Sequence, residues 1–287
     1  MSVKQLVKSI IPAGIMKAYR DNQKIRYFNT RKHLDVFEFH VAEHCNLNCA
    51  ACDHFSPLAR EEYVDIAVVE KDMERLAGLT NGCVKEIRLL GGEPLLHKDI
   101  TSIFVLVRKY FTNSRILLFT NAILLPGQSD AFWQYCKDNR IDIMRTQYPI
   151  KLDIEAISAR CKKYGLSFTN SPGIRENEMY HCVLEPAGNG NVKYNWRHCL
   201  HNQWTFLRNG RIYPCPFYAN IPHFNRYFNK NLPLTEKDSI DIHQAKDVNE
   251  ILDFLKKPIP ACRYCDIAGY TYGHKWGISK KDIGEWT

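Results

Sequence analysis

The chain has 287 residues, 45% of them hydrophobic, with a formal net charge of +8. This length and apolar content fill a real core and exclude a disordered chain. No apolar run reaches the roughly 18 to 20 residues of a bilayer span, no signal-peptide pattern opens the sequence, and a cytoplasmic protein is expected.

The first segment, residues 1–32, holds most of the excess charge: Lys4, Lys8, Lys17, Arg20, Lys24, Arg26, Arg31 and Lys32 face the single acid Asp21. Because the remainder is nearly neutral, the charge does not describe a nucleic-acid surface. Val3, Leu6, Val7, Ile10 and Ile11 recur at helical spacing, and Ile15, Met16 and Tyr19 resume the stripe after Pro12 and Gly14. Docking of this basic amphipathic arm on the main domain is the simpler reading; peripheral contact with an anionic membrane surface is the other.

From residue 34 the chain alternates. Strands are predicted at 34–42, 84–90, 115–120, 141–146 and 166–170, with helices at 65–79 and near 98–110, 129–139 and 152–164. Serial β-then-α units imply a parallel sheet covered by helices, in which ligands sit at the carboxyl ends of the strands. Near residue 185 the rhythm changes. A Gly- and Asn-rich connector leads to a hairpin predicted at 204–215 around Asn209-Gly210, then a helix at 245–257 and the pair Cys262 and Cys265. The expected organisation is an arm (1–32), a βα domain (33–184) and a smaller module with a tail (185–287).

Eleven cysteines in a reducing compartment point to metal or catalysis rather than disulfides. Cys45, Cys49 and Cys52 form C-x3-C-x2-C directly after the first strand. Structural zinc prefers a closed set of four donors, which His44 or His54 would have to complete, whereas three thiolates on a four-iron cluster leave one iron open. At the end of the second strand stands Gly91-Gly92-Glu93-Pro94, where the glycines admit close backbone approach and Glu93 offers an acceptor to a cationic group.

The two motifs in this order resemble the radical S-adenosylmethionine (radical SAM) enzymes. The resemblance covers residues 34–184 and implies a partial (β/α)6 barrel, a 4Fe-4S cluster on Cys45, Cys49 and Cys52, and S-adenosylmethionine held near Gly91, Gly92, Glu93 and Pro94. It further implies cofactor contacts from Asn121 and Arg145 at the ends of the third and fourth strands. The superfamily usually has an aromatic residue before the third cysteine; here that position is Ala51, and Phe55 is the nearest substitute. Cys199, Cys215, Cys262 and Cys265 are similar to the ligands of a twitch module, a short β-hairpin and helix unit that binds an auxiliary 4Fe-4S cluster, although four thiolates also suit zinc. Cys83, Cys136, Cys161 and Cys182 are expected to be core thiols, with Cys182 the one to test as a hydrogen donor.

The resemblance implies formation of a 5′-deoxyadenosyl radical fed by a reductase or flavodoxin. A sugar or cyclitol oxidised at a carbinol carbon is the expected small-molecule substrate, with dehydrogenation preferred to epimerisation. A peptide-maturing radical enzyme and a non-catalytic zinc-cysteine binding module are the alternatives.

Overall fold

The computed structural model describes residues 13–171, 178–199, 201–203 and 205–287. Helix α1 (Ala13–Thr30) precedes a run of strand and helix pairs. These are β1 (Val36–Ala42), α2 (Ile66–Thr80), β2 (Glu86–Gly91), α3 (Ile100–Tyr110), β3 (Arg115–Thr120), α4 (Asp130–Asp138), β4 (Ile141–Arg145), α5 (Ile154–Lys163) and β5 (Phe168–Asn170). Local chemistry starts the helices where the pattern predicts. Asp65, Ser129 and Asp153 each accept a hydrogen bond from a backbone N–H of the first turn that would otherwise lack a partner.

Strands β1 to β5 pair in parallel in sequence order. Phe37, Phe39 and Val41 of β1, Ile87 and Leu89 of β2, Ile116 and Leu118 of β3 and Ile141 and Ile143 of β4 join the main core with Val69, Met73, Ile103, Phe104 and Trp133 of the helices. Residues of the opposite parity, among them Glu38, Arg88, Leu90, Phe119 and Met144, line a cavity. Strict period-two alternation thus sorts an apolar helix-facing side from a partly charged inner side.

The sixth mutually parallel strand comes from later in the chain. β6 (Glu178–His181) leaves the sheet and pairs antiparallel with β10 (Thr271–Lys275), whereas β7 (Phe206–Arg208) pairs with β1 at the opposite edge from β5. Strands β8 (Arg211–Tyr213) and β9 (Ile240–Asp241) extend the same sheet antiparallel. The hairpin expected to open a separate module therefore continues the main sheet. Asn209 and Gly210 at its tip both have positive φ, 50° and 69°, as a two-residue hairpin with native twist requires.

Helix α1 docks on α6 (Val192–His198). Phe28 is buried, Asp21 pairs with His198 at 2.7 Å, and Lys24 donates to the carbonyls of Trp196 and Cys199 at 3.1 and 3.0 Å. Ile15 and Tyr19 on its other side are exposed. The stripe predicted over residues 3–11 lies outside the described residues. Among the described residues no helix is long and apolar enough to cross a membrane.

Candidate active site

The cysteine loop lies directly on the end of β2, and the two glycines make that possible. Gly92 N donates to Ala42 O at 2.7 Å and Glu93 N to His44 O at 3.0 Å. A Cβ on Gly91 would sit 2.3 Å from Ala42 O, and one on Gly92 would sit 2.0 Å from His44 O and 3.0 Å from Cys45 N. Only a residue without a side chain fits either position.

Cys45, Cys49 and Cys52 line a cavity of about 410 Å³ together with Gly91, Gly92 and Asn121. Burial pushes the Cys45 thiol up to about 12 and Cys49 to about 11, and raises Cys52 further. Donors nonetheless point at the sulfurs: Leu47 N reaches Cys45 Sγ at 3.3 Å and Trp276 Nε1 reaches Cys49 Sγ at 3.2 Å. A thiol is a weak acceptor, whereas a thiolate fixed by iron is a strong one, so N–H donors aimed at the sulfurs of the half-buried Cys45 and the buried Cys49 fit a metal-cluster site.

Glu93 does not line the cavity. Its carboxylate accepts from Leu95 N at 3.0 Å, Thr120 Oγ1 at 2.8 Å and Asn121 N at 2.9 Å, and burial pushes its pKa up to about 7 against those donors. The expected acceptor for a cationic cofactor group is instead a strut between the ends of β2 and β3. Asn121, which the strut positions, lines the cavity and donates from Nδ2 to Asn46 Oδ1 at 2.8 Å. Pro94 starts a buried turn (Pro94–Leu96) and Arg145 is buried, both off the cavity wall; the neighbouring Thr146 lines it.

Of three further expectations, those for Phe55 and Cys83 change, and Cys182 is the core thiol expected. Phe55 cannot stand in for the missing aromatic: it has φ 53°, is fully buried, and packs on Phe217, Phe224 and Trp286. Cys182 is fully buried, with Sγ 3.0 Å from His201 Nε2; His201 lines the cavity and Cys182 stands behind it. Cys83 is exposed, whereas Cys136 and Cys161 are core thiols.

The structure brings the second cysteine set together. Cys199, Cys215, Cys262 and Cys265 line one small pocket with Asn195 and Tyr218. Asn195 Nδ2 donates to Cys262 O at 2.8 Å and Cys265 O at 2.7 Å, which ties α6 to the Cys262–Cys265 turn. His201 N donates to Cys199 Sγ at 3.3 Å and Tyr218 N to Cys215 Sγ at 3.4 Å.

Sequence reasoning missed Tyr148, Tyr180 and His201 on the cavity wall, and Trp276 against Cys49. Tyr148 and Tyr180 are aromatic residues in or beside strands, a pattern that resembles core; Trp276, in a polar tail, was the available signal.

Residues 40–148, the stretch that carries the cysteine loop and the Gly91-Gly92-Glu93-Pro94 turn, match the family model of the Radical SAM superfamily. The GTP 3′,8-cyclase of Chlorobaculum tepidum is 31% identical over 98 residues, 34% of this chain and 29% of that protein. The GTP 3′,8-cyclase of Helicobacter pylori is 29% identical over 183 residues, 59% of this chain and 57% of that protein. The chain thus spans less than two thirds of the length of either relative. Among solved structures, BtrN in complex with AdoMet and 2-DOIA aligns with a TM-score of 0.53 at 16% identity, covering 83% of this chain and 94% of that one, which shows a shared fold.

Proposed function

We propose that this chain is a radical SAM dehydrogenase that oxidises a carbinol carbon of a sugar or cyclitol, with Cys45, Cys49 and Cys52 holding the cluster that binds S-adenosylmethionine. Cys199, Cys215, Cys262 and Cys265 hold an auxiliary 4Fe-4S cluster. When bound, these groups supply the hydrogen-abstracting radical and an electron sink. Gly91 and Gly92 give the cofactor a bare backbone ledge, and Asn121 presents its amide at the same wall.

The observation that carries the reading is the contact between Cys199 and His201. Cys199 lines the second pocket, while His201 lines the main cavity and donates its backbone N–H to Cys199 Sγ at 3.3 Å. An electron acceptor at the second pocket would stand in hydrogen-bond contact with a residue of the substrate cavity. Epimerisation with Cys182 as the thiol donor would need that thiol on the cavity wall, and Cys182 is behind it. The BtrN complex, solved with AdoMet and 2-DOIA, supports a small polar substrate for a fold of this extent. A flavodoxin-type protein is the proposed reductant.

Incubation of the reduced, iron-loaded protein with cyclitols and nucleotide sugars in deuterated water tests the reading. A ketone formed in step with 5′-deoxyadenosine supports it. A stereoinverted product carrying one carbon-bound deuterium contradicts it.

A further inference from the structure

The C-terminal segment contains none of the seven cysteines assigned above, yet it closes over the first set. After β10 the chain recrosses the cysteine loop. Ala50 N donates to Gly277 O at 2.8 Å and Ser279 N donates to Asn48 O at 2.8 Å, fixing the register on both sides of Cys49. Trp276 Nε1 donates to Cys49 Sγ at 3.2 Å and Trp286 Nε1 to Cys52 O at 2.9 Å. The far end is anchored: the Trp286 ring is fully buried and its carbonyl accepts from Leu184 N at 2.6 Å. Between these points the strap is braced internally, with Glu285 accepting from Ser279 Oγ and Lys280 N at 2.7 Å each and Asp282 and Glu285 forming a capping box.

We infer that residues 276–286 are a built part of the first cluster site and that Trp276 is a positioning residue that raises the reduction potential of that cluster. An indole N–H can only donate, so this contact has one polarity. A hydrogen bond to a ligating sulfur withdraws electron density and favours the reduced, more negative cluster, and hydrogen bonds and solvent exposure are among the factors that set such potentials. The paired backbone bonds at Ala50 and Ser279 keep the indole from swinging away. Tyr148 adds a second wall, its ring centroid 6.4 Å from that of Trp276. Leu47 N makes the equivalent bond to Cys45, but it comes from the loop itself, whereas Trp276 brings control from the far end of the chain.

The inference rests on Cys45, Cys49 and Cys52 ligating the S-adenosylmethionine-binding cluster, and the experiment separates the two claims. The full chain is reconstituted anaerobically and titrated with reductant under electron paramagnetic resonance; the first cluster is the one whose signal changes on adding S-adenosylmethionine. Trp276→Phe keeps the ring and removes the donor. It should leave iron content unchanged and shift that cluster to a lower midpoint potential, while Trp286→Phe, which loses a bond to a carbonyl and not to sulfur, should not. In the unsubstituted protein labelled with 15N at the indole, the reduced cluster should show a 15N hyperfine coupling, so the idea stays testable if Trp276→Phe loses iron. An unchanged potential in iron-loaded Trp276→Phe, an equal shift in Trp286→Phe, or no indole coupling overturns the role of Trp276. Absence of any cluster responsive to S-adenosylmethionine overturns the ligand assignment, and this inference falls with it.

Discussion

Replacing Gly92 by alanine should collapse the cysteine loop, and the size of the effect follows from the packing. The new Cβ would lie 2.0 Å from His44 O and 3.0 Å from Cys45 N, both backbone atoms that no rotamer change can move aside. Restoring ordinary contact requires the loop to retreat by more than about 1 Å. That retreat breaks or stretches the bonds Gly92 N to Ala42 O and Glu93 N to His44 O, 2.7 and 3.0 Å long. Two buried backbone bonds at about 1 kcal/mol each and an overpacking term of about 1 to 3 kcal/mol give a loss of roughly 3 to 5 kcal/mol. At about 2 to 4 °C per kcal/mol the apo-protein should melt roughly 6 to 20 °C lower. Calorimetry of Gly92→Ala measures this, and iron content reports whether the loop still holds its cluster. Melting within about 2 °C of the parent, with full iron, would refute the claim that the glycines exist to seat the cysteine loop.

The remaining predictions concern charge, thiols and metal. Because burial raises the Glu93 carboxyl to about 7, its folded form holds a proton that the unfolded chain releases near pH 4.3. Its contribution is therefore full below the unfolded value and is lost as pH rises toward 7. The destabilisation of the apo-protein by Glu93→Gln should shrink by up to about 3 kcal/mol between pH 4.5 and 8, and a penalty that grows with pH would show that the three donors keep it ionised. Cys182→Ser should leave the yield of oxidised product per 5′-deoxyadenosine unchanged, since the thiol stands behind His201; loss of product with cleavage intact would make it a participant. The reconstituted protein should bind about eight irons, falling to about four when Cys199 and Cys215 are both replaced by alanine, with cofactor cleavage retained. Iron near four in the parent would remove the auxiliary cluster from the account.

The strands and helices that carry the site were legible because they alternate by local rules. The parity of Phe37, Phe39 and Val41 against Glu38 and His40 marks two faces, and Asp65, Ser129 and Asp153 mark helix starts. The glycine pair and both cysteine sets were legible for the same reason: spacing within a few residues constrains where side chains can point. What stayed hidden depends on contacts remote in sequence. β7 joins β1 across 165 residues or more, a pairing fixed by tertiary packing that no local pattern encodes. Glu93 resembled a ligand-facing carboxylate, but Thr120 and the Asn121 amide, more than 25 residues on, turn it into a strut. The strap over Cys49 and Cys52 uses backbone groups of a polar tail, so only Trp276 and Trp286 could have hinted at it.

The central claim is that the loop of Cys45, Cys49 and Cys52 holds the cluster at which S-adenosylmethionine is cleaved. Chromatographic quantification of 5′-deoxyadenosine, from anaerobically reconstituted and reduced protein with S-adenosylmethionine, tests it directly when the parent is run beside the Cys45→Ala, Cys49→Ala, Cys52→Ala triple variant. The account predicts 5′-deoxyadenosine from the parent and none from the triple variant, which keeps the iron of its second set. Cleavage by the triple variant, or no cleavage by a fully iron-loaded parent, would contradict it.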